Sequence, residues 1–214
     1  VPNPSRVLWS LLALAGLACG GHTPAPPPVA GSPPPKEPIK PLGVAPFAGQ
    51  QIAVIPITLV VPIDTMERVA PFTTHATAIA WADSVVGAAL VARGPEVKWA
   101  LPPELRKVAR RAPTVAPDPD RMGQSMMRER SLETVPDPLR SNLRSMMALL
   151  NGRFVLIPAA VAVVPEKGGL VRAEITLVLA DTRTGKVVWR TVSWGVAATP
   201  TRALAVAMET VLPL

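Results

Sequence analysis

The chain of 214 residues holds one cysteine, two histidines and no tyrosine, and aromatic residues make up only 4% of it. One thiol forms no internal disulfide and cannot supply the several ligands of a Cys-based zinc site. His22 and His75 have no companions at metal-ligand spacing, so neither a metal nor a cofactor is expected. No GxSxG elbow, P-loop or GxGxxG motif occurs, which removes the commonest local signatures of hydrolases, NTPases and dinucleotide-binding domains. With five Trp and three Phe among 49% hydrophobic residues, the core must be aliphatic. Proline and positive charge are the excesses: 27 prolines and a net charge of +7, where proline usually makes up about 5% of a chain.

The amino-terminal end accounts for the cysteine. Val7 to Ala18 (VLWSLLALAGLA) is an uncharged apolar run behind Arg6. It has the length of a signal-peptide core, ~7–15 residues, and falls short of the ~20 that span a bilayer. Gly16-Leu17-Ala18-Cys19 resembles the lipobox of bacterial lipoproteins, and Gly20-Gly21 suits the same pattern. Gly16 departs from it, standing where that family usually has Leu. The resemblance implies a signal peptide over 1–18, lipidation with palmitate at Cys19, and a lipid-anchored protein of the cell envelope at the periplasmic face of the outer membrane. The chain begins with Val1 rather than Met, which fits a non-standard start codon or a truncated upstream end. The alternative for this run is an apolar helix packed into the core, with Cys19 as a small buried hydrophobe.

Prolines mark the next boundary. From His22 to Pro46, ten of 25 residues are proline. Proline offers no N–H to a helix or sheet and fixes its own φ, so residues 19–49 read as the lipidated cysteine and an extended tether, rising ~3.1 Å per residue.

Residues 50–214 read as a single α/β domain. Gln51–Val61 is a β-branched run that Pro56 interrupts. Ile79, Ala82, Val86 and Leu90 repeat at helical spacing before Gly94-Pro95. A short strand at Val97–Trp99 precedes a helix opened by Pro102-Pro103, with Leu105, Val108, Ala109 and Ala112 on one stripe. Residues 113–136 are irregular, with a short helix expected around Arg121–Arg130. Leu139, Leu143, Met146, Met147 and Leu150 form the apolar face of a third helix. Three strands follow over 153–164, 170–180 and 186–196. The middle one alternates Val171, Ala173, Ile175, Leu177 and Leu179 on one face. Thr199-Pro200 then caps a closing helix. The expected fold is a mixed, partly antiparallel sheet with helices packed on it.

The wording of several of these elements resembles the TolB amino-terminal-domain and curli-secretion (CsgG-like) lipoprotein fold. Ile52-Ala53-Val54-Ile55-Pro56 is similar to that family's opening strand, and Arg153–Pro158 matches a later one in position. Leu177–Trp189 (LVLADTRTGKVVW) is similar to its L-x-L-x-D-x-x-T-G-x-V-x-W hairpin. The residues give that hairpin a structural cause: Asp181 can bond the turn backbone, Gly185 supplies a positive φ, and Trp189 buries a large surface on the returning strand. The resemblance implies an envelope assembly role. Two ~10-residue alternating segments, which a barrel-forming hairpin needs, are not found to spare.

Candidate chemistry is sparse. His75 and Asp83 lie two helical turns apart, too far to bond, and Ser84 completes no triad. Asp118 and Asp120, flanked by prolines, read as a turn, and the methionines at 122, 126, 127, 146 and 147 as core filling. No catalytic residue is assigned. Between residues 93 and 153, twelve cations face seven acids. Lys107, Arg110 and Arg111 share one end of their helix, a candidate anion-binding face for lipid phosphate or acidic glycan; an export signal argues against nucleic acid. The functional expectation is a membrane-tethered, non-enzymatic binding or assembly module with a protein or envelope partner. Its alternatives are an oligomeric secretion component, marked by a self-complementary apolar patch, and an envelope hydrolase, marked by carboxylates clustered in a cleft.

Overall fold

A computed structural model of the chain describes residues 38–213. The expected signal segment, Cys19 and the tether as far as residue 37 lie outside the described residues. Proline divides the first β-branched run, since Pro56 brings no N–H to a ladder: β1 (Gln51–Val54) stops before it and β2 (Val60–Pro62) begins beyond it. Both lie parallel to one long strand, β4 (Phe154–Pro165). β3 (Lys98–Ala100) pairs parallel with β1 on its other side. β5 (Val171–Asp181) and β6 (Val187–Ala197) continue from β4 as an antiparallel meander. The sheet runs β3-β1-β4-β5-β6, with β2 beside β4, and is the expected mixed, partly antiparallel sheet carrying helices.

Two helices cover its first face. α1 (His75–Arg93) starts where Thr74 Oγ1 accepts the N–H of Thr77 and ends at Gly94. α4 (Pro200–Val211) starts in the same way, with Thr199 accepting from Arg202. Ala82, Val86, Leu90, Leu204 and Met208 close over the Val171-to-Leu179 stripe of β5. α2 (Pro102–Arg111) and α3 (Leu139–Leu150) serve the second face. Leu105, Leu143 and Met146 pack there on Ile55, Ile157 and Val178.

Two stretches differ from their sequence reading. Residues 38–49, assigned to the tether for their prolines, lie on the body. Leu42 is buried and its N–H donates to Val211 O at 2.8 Å. Lys40 N–H donates to Thr191 Oγ1, and the Phe47 ring meets Phe154 edge-on at 5.1 Å. Proline prevents regular structure, but it does not prevent the apolar side chains between prolines from finding a groove. In place of a helix over 121–130 there are two 3-10 turns, Pro119–Arg121 and Gln124–Arg128. Gly123 separates them at φ 75°, a left-handed conformation that no helix continues through.

Candidate functional site

From β1 the chain passes through β2 to α1 on the first face, and it leaves β3 directly into α2 on the second. Connections that part in this way open a crevice at the carboxyl ends of parallel strands, where α/β sheets commonly bind ligands. Charges fill it here. Ile57, just past β1, donates its N–H to Asp83 Oδ1 at 2.8 Å. Arg106 Nη2 reaches Asp83 Oδ2 at 3.0 Å and Asp120 Oδ1 at 2.7 Å, while its Nε donates to Asp120 Oδ2 at 3.0 Å. One guanidinium thus ties α1 and α2 to the first 3-10 turn. Gln124, fully buried, donates through Nε2 to Pro56 O and Pro119 O at 2.8 and 3.2 Å. Its Oε1 is buried without a protein partner.

Burial pushes the Asp83 carboxyl above the usual carboxylate range, against the opposing pull of the Ile57 N–H and of Arg106. Arg106 is held still more firmly cationic, chiefly by its bond to Asp120. A raised carboxyl in a crevice is the kind of group that acid–base chemistry uses. Both oxygens of Asp83 are nevertheless engaged, one by an amide and one by a guanidinium. His75 does not join it: it lines a separate pocket of about 340 Å³ with Val60, Glu67 and Phe72. Among the described residues, no group of three or more His, Cys, Asp or Glu is placed to share a metal ion.

Outside the charged bridge, a groove of about 390 Å³ runs along α2, lined by Arg106, Ala109, Arg110, Ala116 and Asp118. Of the three cations singled out from sequence, Arg110 lines this groove, and Lys107 and Arg111 stand exposed beside it. Among the described residues, none of the three forms an ion pair. Asp118 accepts the N–H of Asp120 at 3.0 Å, the turn expected of it. Asp120 also carries Arg106, a role that its turn composition does not reveal. Met122, Met127, Met146 and Met147 are buried as core filling, and Met126 is exposed.

The hairpin signature is structural. Asp181 Oδ1 accepts the Arg183 N–H at 2.9 Å, its Oδ2 pairs with Arg153 at 2.7 Å, and Gly185 sits at φ 77°. Arg153 holds the Asp181 carboxyl below its ordinary range.

No protein-family model and no curated protein matches the chain. Solved structures with some likeness include the LpoB C-terminal domain from Escherichia coli, with 13% identity and a TM-score of 0.39 over 72% of this chain and 85% of that one. The PelC dodecamer from Paraburkholderia phytofirmans gives 17% and 0.37 over 82% and 95%. Lipoprotein GNA1162 from Neisseria meningitidis gives 13% and 0.38 over 69% and 83%.

Proposed function

We propose that the chain is an envelope lipoprotein, anchored through Cys19 at the periplasmic face of the outer membrane, whose folded part is a non-enzymatic binding or assembly module. The anchor rests on the apolar run from Val7 to Ala18, the Ala18-Cys19 junction and the proline-rich segment behind it. Binding rather than catalysis is supported chiefly by how the charges are spent. In the crevice, Asp83 and Asp120 neutralise Arg106, whereas Lys107, Arg110 and Arg111 next to it are left facing solvent. Such a face suits phosphate or acidic glycan at a membrane surface. The curli-secretion and TolB likeness of the Leu177–Trp189 hairpin belongs to the same reading.

Two measurements test it. In a bacterial host that acylates lipoproteins, the intact mass is expected to show a chain beginning at a lipidated Cys19, and Cys19→Ala to abolish the modification. An unmodified Cys19 behind an uncleaved Val1–Ala18 would remove the anchor from this account. Separately, the full-length Cys19→Ala chain is expected to prefer anionic over neutral vesicles, with a preference that shrinks as salt rises. Each surface cation contributes about 1 kcal/mol near an anionic membrane before screening. Lys107→Gln, Arg110→Gln and Arg111→Gln together, about 3 kcal/mol before screening, should therefore weaken anionic-vesicle binding by up to about a hundredfold at low salt, and by less as salt rises. Equal binding to both vesicle types at low salt would dismiss the basic face.

A further inference from the structure

The two faces of the sheet are unequally covered. On the first face β5 is buried from Val171 to Leu179, in one core with α1, α4 and the side chains of Leu42, Met66 and Phe72. On the second face, α2, α3 and the Gln124–Arg128 turn lie over the half where Val155, Ile157, Val178 and Ala180 are buried. Beyond that half the strands still alternate, but the side chains directed to the second face remain partly in solvent: Arg172, Glu174 and Thr176 on β5, and Ala162, Val164, Val192, Trp194 and Val196 on the flanking β4 and β6. Trp194 is 37% exposed. The solvent side of an antiparallel sheet ordinarily turns polar; β5 does so here, but the five side chains on β4 and β6 that flank it are all apolar.

We propose that this half-face packs against the same half-face of a second copy of the chain. The argument is charge complementarity. Arg172 and Glu174 follow one another on this side of β5, two residues apart and thus separated by ~7 Å along the strand. Among the described residues the Glu174 side chain has no hydrogen bond or ion pair, and the Arg172 side chain pairs only with Glu166 at the hairpin tip, Nε to Oε1 at 3.3 Å. A two-fold axis lying in the interface, across the strands at the level of Ala173, sets each Arg172 against the second copy's Glu174. The observed register carries the rest. Trp194 lies opposite Glu174 and Val196 opposite Arg172 on β6, and Ala162 and Val164 hold the same two levels on β4. The same axis therefore seats Trp194 on the second copy's Val196 and Val164 on its Ala162, large against small. A two-fold along the strands would instead set Arg172 on Arg172, and like charge rules it out. Faces packed in this way sit ~10 Å apart, close enough for the side chains to interdigitate.

This inference deepens the assembly side of the proposed function; the lipid anchor and the vesicle binding do not depend on it. The test is sedimentation and energy transfer on the full-length Cys19→Ala chain in mild detergent, with the labels placed at the amino terminus. A concentration-dependent dimer is expected. Arg172→Glu alone or Glu174→Arg alone should weaken it at least about tenfold, as loss of a close interfacial charge pair does. Mixing the two single variants should restore association as a heterodimer, because each then meets its opposite. Trp194→Ala should weaken the dimer to a similar extent and leaves Arg172 and Glu174 in place. A wild-type chain that remains monomeric at every concentration would overturn the proposal. So would a dimer indifferent to the charge reversals, or single variants that fail to pair with each other while retaining the wild-type unfolding transition.

Discussion

Gly195→Ala is expected to lower the stability of the folded chain by about 3 kcal/mol, the upper end of what overpacking usually costs. Gly195 lies on β6 directly beneath α4. A Cβ there would stand 2.6 Å from Ala207 N and 2.7 Å from Val206 Cβ, and would press on Ala203 O as well. Two of these three atoms are backbone, so no side chain can rotate away, and α4 itself must lift. The helix is held down by Ser193, two residues earlier, whose Oγ donates to Ala207 O at 2.7 Å in the buried interior. Relieving the clash therefore strains a buried hydrogen bond and opens the contacts of Leu204 and Met208 with the sheet. Replacing glycine in a strand would otherwise help slightly, through the entropy of the unfolded chain, so the sign of the change tests the close approach. Denaturant unfolding should show a lower midpoint with an unchanged slope. Gly43→Ala is the control: nothing lies within 4 Å of its Cβ position, and its effect should stay within about 0.5 kcal/mol. A Gly195→Ala chain as stable as the wild type would mean that α4 does not lie so close to β6.

What the sequence disclosed is what local periodicity encodes. Leu139, Leu143, Met146, Met147 and Leu150 recur at helical spacing, and all five are buried on α3. The alternation from Val171 to Leu179 gives the first face of β5 directly. It did not disclose that Val178 and Ala180 are buried on the other face, because only the tertiary placement of α2, α3 and the Gln124–Arg128 turn covers them. Trp189 was expected on the core side of its hairpin. It packs against the first core while partly exposed, and its Nε1 donates to Pro41 O at 3.2 Å. That partner lies in a stretch whose prolines read as spacer, and composition carries no record of a docking 148 residues away. The crevice was hidden for the same reason. Arg106 looked like one cation among twelve because its carboxylates come from residues 83 and 120, on elements that only the sheet topology brings together. Lys107, Arg110 and Arg111 were legible because they are exposed, and exposure at a helix end needs no tertiary partner.

Arg106→Leu is expected to cost about 3 kcal/mol at neutral pH, and progressively less as the solution is acidified. Removing one member of a buried pair typically costs ~3–5 kcal/mol, because the partner's charge stays buried without compensation. The lower end applies since the Arg106 side chain keeps 30% exposure, although that of Asp83 keeps only 10%. The pH dependence follows from Asp83. Burial already holds its carboxyl above the ordinary 3.8 in the folded wild type. Without the guanidinium, its folded-state pKa moves higher still, while the unfolded value stays where it was. At pH above the variant's folded pKa, Asp83 is ionised in both states and the folded variant bears the full penalty. As pH falls through that pKa, the folded variant takes up a proton before the unfolded chain does, and so regains stability. Below the wild type's own folded pKa, Asp83 is neutral in both proteins, and the part of the deficit owed to it is gone. Asp181 works in the opposite sense: its depressed pKa lends stability that is lost as pH falls through that folded value. It is common to both proteins and cancels in the difference. Asp120→Asn should cost less than Arg106→Leu, since Asp120 is 42% exposed and Arg106 keeps Asp83. Unfolding free energies of the wild type and Arg106→Leu, measured side by side from about pH 7 to about pH 4, should therefore converge toward acid. A deficit that stays constant across this range would place the loss in the packing of α2 rather than in an uncompensated charge at Asp83.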